Sequence, residues 1–279
     1  LNKISYMDNK QLYKNINFTD LGKALRRNGC MDWLPYDPVE LENRFIWLAA
    51  FGKLLVPEYH FKRAQMDWWS NPLFINFIEE YNDHAHGFDN DRKWNLSQLL
   101  RLCAHVPGDT AECGVYKGAS SWFILNCWRE FYNNGSRKHH LFDSFEGLSE
   151  PGPFDGTHWY KHTLSASVKE AMEKLERFSS AIVIHKGWIP EKFFEIETSN
   201  FAFVHIDVDI YEPTKASIEF FYPRLNNGGI LICDDYGFST CPGATLAIDE
   251  FLKDKPERMI SFASGGGWFM KGVETQAQY

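Results

Sequence analysis

Two aspartates one residue apart close the apolar run "FAFVHIDVDIYEPT" (201–214), and a second acidic pair, Asp234 and Asp235, closes "GGILICDDYG" (228–237). An isolated Asp in a turn is commonplace. Two Asp pairs, each terminating a buried strand, point instead to a divalent cation. Mg²⁺ favours hard oxygen donors, a few carboxylates and retained waters. Four carboxylates gathered at adjacent strand ends would repel one another strongly with no cation among them. If the strand stays extended, Asp207 and Asp209 point to the same side, because strand side chains alternate with period two.

Further chemistry is spaced along the preceding hundred residues. In "AECGVYKGASS" (111–121), Gly114 and Gly118 permit a tight turn and close approach of a ligand. The spacing is neither G-x-G-x-x-G nor a turn ending in G-K-[ST], so a pyrophosphate cradle is poorly supported. Glu112 inside the turn repels anions and suits a ligand carrying an ammonium group. Asp143 in "LFDSFEG" (141–147) is placed to accept from two ribose hydroxyls; a turn or N-cap aspartate is the plainer alternative. Gly187 and Trp188 in "IHKGWIPEKF" (185–194) could lay a wall beside a purine, or Trp188 could be core. His158 and His162 in "DGTHWYKHT" are candidate bases or lid contacts, or simply solvated.

These groups need a scaffold that brings strand ends together. Strands are expected at 109–115, 139–145, 181–187, 201–209 and 228–237, with two more in "RMISFAS" and "GWFMKGV". Helices are expected at 71–82, from Asn95 to about His105, and at 120–132, 167–178, 213–226 and 244–252. Val168, Ala171, Met172, Leu175 and Phe178 share one helical face. Strands apolar on both faces and separated by helices imply an α/β fold, a doubly wound, mostly parallel seven-stranded sheet. Ligands of such folds bind beyond the carboxyl ends of the strands, where Glu112, Asp143, Asp207 and Asp234 fall. Residues 1–94 read as an N-terminal helical region for acceptor, lid or oligomer contacts, broken by "DWLPYDP" (32–38), "LVPEYH" (55–60) and the turn-rich stretch 84–94. Residues 95–279 read as the main domain.

A net charge of −8 argues against nucleic-acid binding, whose affinity comes mainly from phosphate neutralisation. No stretch approaches the roughly 18 uninterrupted apolar residues of a membrane span. Six cysteines without C-x-x-C or framework spacing point to a reduced, cytoplasmic chain. The polar start "LNKISYMDNKQLYKN" is not a signal peptide, and without an initiator Met it reads as trimmed or as a piece of something longer.

Taken in order, "VPGDTAECGVYKGASS", "FDSFEGL", "HKGW", "IDVDIYEPT" and "LNNGGILICDDYG" resemble the macrocin O-methyltransferase family over roughly residues 95–255. The resemblance implies a class I, Rossmann-like methyltransferase that uses S-adenosylmethionine and Mg²⁺ to methylate sugar hydroxyls on natural products. It implies cofactor contacts from Glu112 and Gly114 at the amino-acid end, Asp143 at the ribose, and Gly187 with Trp188 at the adenine. Tyr116, Gly118, Ser120, Ser144 and Phe145 complete the candidate cofactor segments. It further implies Asp207, Asp234 and Asp235 as metal ligands and Asp209 as general base, with the loop histidines as alternative bases. The chain departs at Cys113 and Tyr116, where Thr and Trp are more usual, and its loop 150–165 is shorter than in macrolide-modifying members. The acceptor is expected to be a small molecule or glycan, and the chain a homo-oligomer. Two rival readings are a GT-A-like glycosyltransferase, which also uses Asp-x-Asp with a divalent ion, and a non-catalytic binding homologue.

Overall fold

The computed structural model describes residues 71–81, 90–131 and 137–275, with a few helical positions between 46 and 53. The remaining helical segments and breaks expected before residue 71 lie outside the described residues, as does the first part of the turn-rich stretch. The chain divides into two compact units, 1–64 and 65–279, and the second contains the sheet.

The elements of this second unit run α1 (Pro72–Glu80), α2 (Asn90–Leu102), β1 (Asp109–Cys113), α3 (Ala119–Phe131), β2 (His139–Asp143), α4 (Val168–Glu173), β3 (Ile182–Lys186), β4 (Phe201–Ile206), α5 (Tyr211–Phe221), β5 (Leu225–Cys233), α6 (Pro242–Leu252), β6 (Ile260–Ser261) and β7 (Gly267–Met270). The seven-stranded sheet has the order β3-β2-β1-β4-β5-β7-β6. Its first five strands are parallel, and β7 runs antiparallel to both β5 and β6. Strand order reverses between β1 and β4. That is the switch point at which such sheets open a crevice for a ligand.

Every residue of β4 is buried, as befits the centre of a sheet covered on both faces. One face carries Ala111, Cys113, Val204, Ile206, Leu231 and Cys233, which pack with Ile218 and Phe221 of α5 and Ala244 and Ile248 of α6 in one apolar core. The other face departs from the expectation of apolar surfaces. Thr110, Glu112, His139 and His205 are buried there, and α3 meets them with Ser121. α1 is capped by Asn71, whose side chain accepts from Leu73 N–H at 2.8 Å, with Pro72 preset for the first turn. Its Phe77 packs on Trp122 of α3.

Boundaries shift from the sequence reading at several elements; the helix expected at 213–226 runs Tyr211–Phe221 and gives way to a 3₁₀ turn and then to β5 from Leu225. α2 begins at Asn90 rather than Asn95, inside the stretch read as loop; Lys93 and Leu96 are buried there, so packing extends the helix. The amphipathic run 167–178 breaks after Glu173 into a short 3₁₀ turn, Glu176–Phe178. β4 stops at Ile206 and β5 at Cys233, so both acidic pairs lie just beyond the strands.

Candidate active site

The glycine turn is tied to the ends of its neighbours by backbone bonds. Gly114 N–H donates to Phe142 O at 2.9 Å, Asp207 N–H to Cys113 O at 2.8 Å, and Asp234 N–H to Ile206 O at 2.8 Å. The ladder thus continues one step past β1, β4 and β5 and fixes their termini side by side. Gly114 has φ +84°, and a Cβ there would overlap the Asp207 carbonyl, so only glycine lets β1 turn this close to β4. Asp143, at the end of β2, accepts from Val115 and Tyr116 N–H at 2.7 and 2.9 Å, and its other oxygen accepts from Phe145 N–H at 2.6 Å. The carboxylate therefore holds the turn, as the plainer reading allowed, and it also lines the cavity above it.

Asp207 and Asp209 do not share a face of an extended strand. The chain leaves β4 after Ile206, and Asp209 lies in the left-handed region at φ +62°. As a result the acids sort into two groups. Side-chain donor atoms of His205, Asp207 and Asp234 fall within 4.8 Å of one another, and those of Asp209, Asp235 and Cys241 do the same. Asp209 N–H donates to Asp235 Oδ2 at 2.8 Å, which joins the two loops.

Burial, then the neighbouring Asp234, raises the Asp207 carboxyl to about 6; burial, then Asp207, raises Asp209 to about 7. Burial and the Asp209 and Asp207 carboxylates push Asp235 well above the usual range. Asp234 goes the other way. Burial alone would raise it, but His205 and the Arg92 guanidinium hold it well below the carboxylate range. Burial would likewise lower the His205 imidazole, yet Asp234 and Glu112 raise it to about 10.

A divalent cation fits these residues. The donors are hard carboxylate oxygens, three of them are held from ionising readily by burial and by one another, and they meet at the floor of a cleft.

The cleft is a cavity of about 470 Å³. Glu112, Gly114, Tyr116, Ser120, Asp143, Ser144, Gly187 and Trp188 line it together with Asp207, Asp209 and Asp235. Apolar walls come from Phe77 of α1 and Tyr81 at its C-terminal cap, Trp159 and Leu164 of the loop after β2, and Phe238. Other expected residues lie elsewhere. Asp234 is buried behind the cavity between Arg92 and His205. Gly118 and Phe145 support the turns from outside the lining, Gly118 through its carbonyl, which accepts from Tyr81 O–H at 2.9 Å. His158 and His162 are exposed and outside the lining; His158 stands edge-on against Trp159, and His162 Nδ1 lies 3.0 Å from Glu146 O. The sequence reading missed His205, Ser121, Cys241 and Arg92. His205 was open to discovery, since it stands on β4 two residues before Asp207; the partnership of Arg92 with Asp234 has no local signal.

Residues 91–262, more than half of the chain, match the family described as macrocin-O-methyltransferase (TylF). A tetracenomycin-type 4'-O-methyltransferase of Streptomyces olivaceus, acting on an 8-(2,3-dimethoxy-α-L-rhamnosyl) compound, is 30% identical over 153 residues, 51% of this chain and 58% of that protein. Mycinamicin III 3''-O-methyltransferase of Micromonospora griseorubida is 26% identical over 178 residues, 58% of this chain and 70% of that protein. Among solved structures, the calicheamicin methyltransferase CalS11 superposes with a TM-score of 0.61 at 20% identity, covering 76% of this chain and 91% of its own. The O-methyltransferase NovP gives 0.54 at 23% identity, over 64% and 79%. At these identities the structural likeness establishes the fold.

Proposed function

Because the chain belongs to the macrocin-O-methyltransferase family, we propose that it transfers a methyl group from S-adenosylmethionine to a sugar hydroxyl on a glycosylated natural product, assisted by a divalent cation. The observation that carries this reading is the shared cavity. The glycine turn, the acid at the end of β2, half-buried Asp207 and buried Asp209 and Asp235 open into one space of about 470 Å³. By their names, one curated relative acts on a rhamnosyl tetracenomycin and another on mycinamicin III.

In this reading the ammonium end of the cofactor lies against Glu112, its ribose against Asp143, and its adenine beside Gly187 and Trp188. Asp207, Asp234 and Asp235 would hold the cation, Asp207 and Asp234 from one group of acids and Asp235 from the other, so that the ion would bridge the two groups, with Mg²⁺ favoured by an all-oxygen set. When bound, the cofactor supplies an electrophilic methyl and the cation a positive charge that lowers the pKa of an acceptor hydroxyl. Asp209 takes that proton: it lines the cavity, and its carboxylate falls in one group with that of Asp235. The aromatic rim orients the acceptor, and positioning for in-line attack supplies much of the remaining rate. The loop histidines play no part in this assignment because they lie outside the cavity lining. The GT-A alternative has no support from the fold, and a non-catalytic homologue would have no use for three carboxylates, two of them buried, lining one cavity. We also place the chain in a reducing cytoplasm as a homo-oligomer, which light scattering of the purified protein tests.

The reaction is tested by incubation with S-adenosylmethionine, Mg²⁺ and a panel of rhamnosylated and other deoxysugar-bearing aglycones, read by mass spectrometry. Gain of one methyl on the sugar, lost on chelation, is the expected result. Methylation that survives exhaustive chelation would remove the cation from the reading, and transfer to the aglycone would remove the sugar.

A further inference from the structure

We infer that His205 is a positioning residue that ties the cofactor end of the site to its cation end, holding Glu112 with one ring nitrogen and Asp234 with the other. The inference rests on the methyl-transfer reading above, because that reading gives the two carboxylates their ligands.

His205 is fully buried in the middle strand of the sheet, and β1 pairs with β4 so that Glu112 stands directly beside it. Its Nδ1 lies 3.0 Å from Glu112 Oε1. Its Nε2 lies 3.4 Å from Asp234 Oδ1, an ion-pair separation without hydrogen-bond geometry. Each partner is braced from its far side. The second Glu112 oxygen accepts from Ser121 of α3, and Ser121 Oγ is 3.2 Å from His139 Nε2. Asp234 is paired with Arg92 of α2. The result is a buried polar line running across the sheet from the cation side to the cofactor side.

A satisfied core histidine would account for one contact. It would not account for a ring set between two carboxylates that belong to different subsites, at a place where an apolar side chain would pack more cheaply. A carboxylate oxygen has two lone pairs, so Glu112 keeps acceptor capacity for a ligand ammonium while His205 fixes its rotamer. The same ring stands at 3.4 Å on one side of Asp234 while Arg92 donates to it from the other, so Asp234, outside the cavity lining, is bracketed by the two. Groups that orient ligand-binding carboxylates in this way set affinity without touching the ligand.

Two substitutions separate the nitrogens. His205→Asn keeps an amide donor near the position of Nδ1, and His205→Gln keeps one near Nε2. Calorimetry with S-adenosylhomocysteine and with 5′-methylthioadenosine, which lacks the amino-acid end, reads the cofactor side; Mn²⁺ binding by electron paramagnetic resonance reads the cation side. For His205→Asn, Mn²⁺ affinity falls about 10-fold or more while S-adenosylhomocysteine affinity is held. For His205→Gln the pattern reverses, with S-adenosylhomocysteine weakened about 10-fold and Mn²⁺ held. 5′-Methylthioadenosine binds the wild type and both variants alike. Variants that bind every probe as the wild type does, or that lose all three together, overturn the inference. A wild type that binds neither nucleoside overturns the methyl-transfer reading, and this inference with it.

Discussion

Asp209 holds a left-handed backbone at φ +62°, a conformation that costs a non-glycine residue free energy and persists only where its surroundings impose it. Here the imposing contact is the bond from its N–H to Asp235 Oδ2. Asp209→Asn removes the proposed proton acceptor and keeps the shape, so kcat should fall by roughly 10²–10⁴ with the S-adenosylhomocysteine dissociation constant unchanged. Steady-state kinetics paired with calorimetry checks this, and retained turnover would move the base elsewhere. Titration gives a second test. In the metal-free fold, Asp207 and Asp209 keep protons that the unfolded chain has already released, because their carboxyls sit at about 6 and about 7 against an ordinary 3.8. Their contribution to stability is therefore full below 3.8 and is lost as pH rises through those two values. A bound cation cancels that loss, so Mg²⁺ or Mn²⁺ should raise the melting temperature more at about pH 8 than at about pH 5.5. The aspartates themselves were legible from spacing alone. Their division into two groups was not, because it depends on where β4 ends and on one residue of unusual φ.

Among the elements, the closest fit is between the glycine turn after β1 and the loop after β4. Gly114→Ala places a methyl against the Asp207 carbonyl and forces a residue with a Cβ to hold φ +84°. Such a change should cost more than roughly 2 kcal/mol, measured by urea denaturation, and should weaken cofactor and cation together, since both subsites hang on that junction. A variant as stable as the wild type would mean that the two strand ends are held apart by something else. The helices and strands were legible as apolar runs between turn formers, and all seven strands were placed. Their ends were not, because hydrophobicity continues through Val208 while pairing stops where the neighbouring strand stops. Helix α2 shows the converse: polar Asn90, Asp91 and Arg92 read as loop, yet burial of Asn90 and Lys93 draws them into the helix that carries Arg92 to Asp234.

At the scale of the whole molecule, one crevice above the β1–β4 switch point receives residues from β1, β2, the loops after β3, β4 and β5, and the aromatic rim. The order of motifs along the chain was enough to indicate this, since each fell at a strand end that the topology brings to one edge. The buried polar face beneath α3 was not legible, because Thr110, Glu112, His139 and His205 are scattered over nearly a hundred residues and meet only through strand register. The central claim is that the crevice is a site for S-adenosylmethionine rather than for a sugar nucleotide. Calorimetry of the purified chain with S-adenosylhomocysteine and with a UDP-sugar, each with Mg²⁺ present, tests it most directly. The account predicts a saturable isotherm with S-adenosylhomocysteine and none with the UDP-sugar. Saturable binding of the UDP-sugar and no heat from S-adenosylhomocysteine would contradict it.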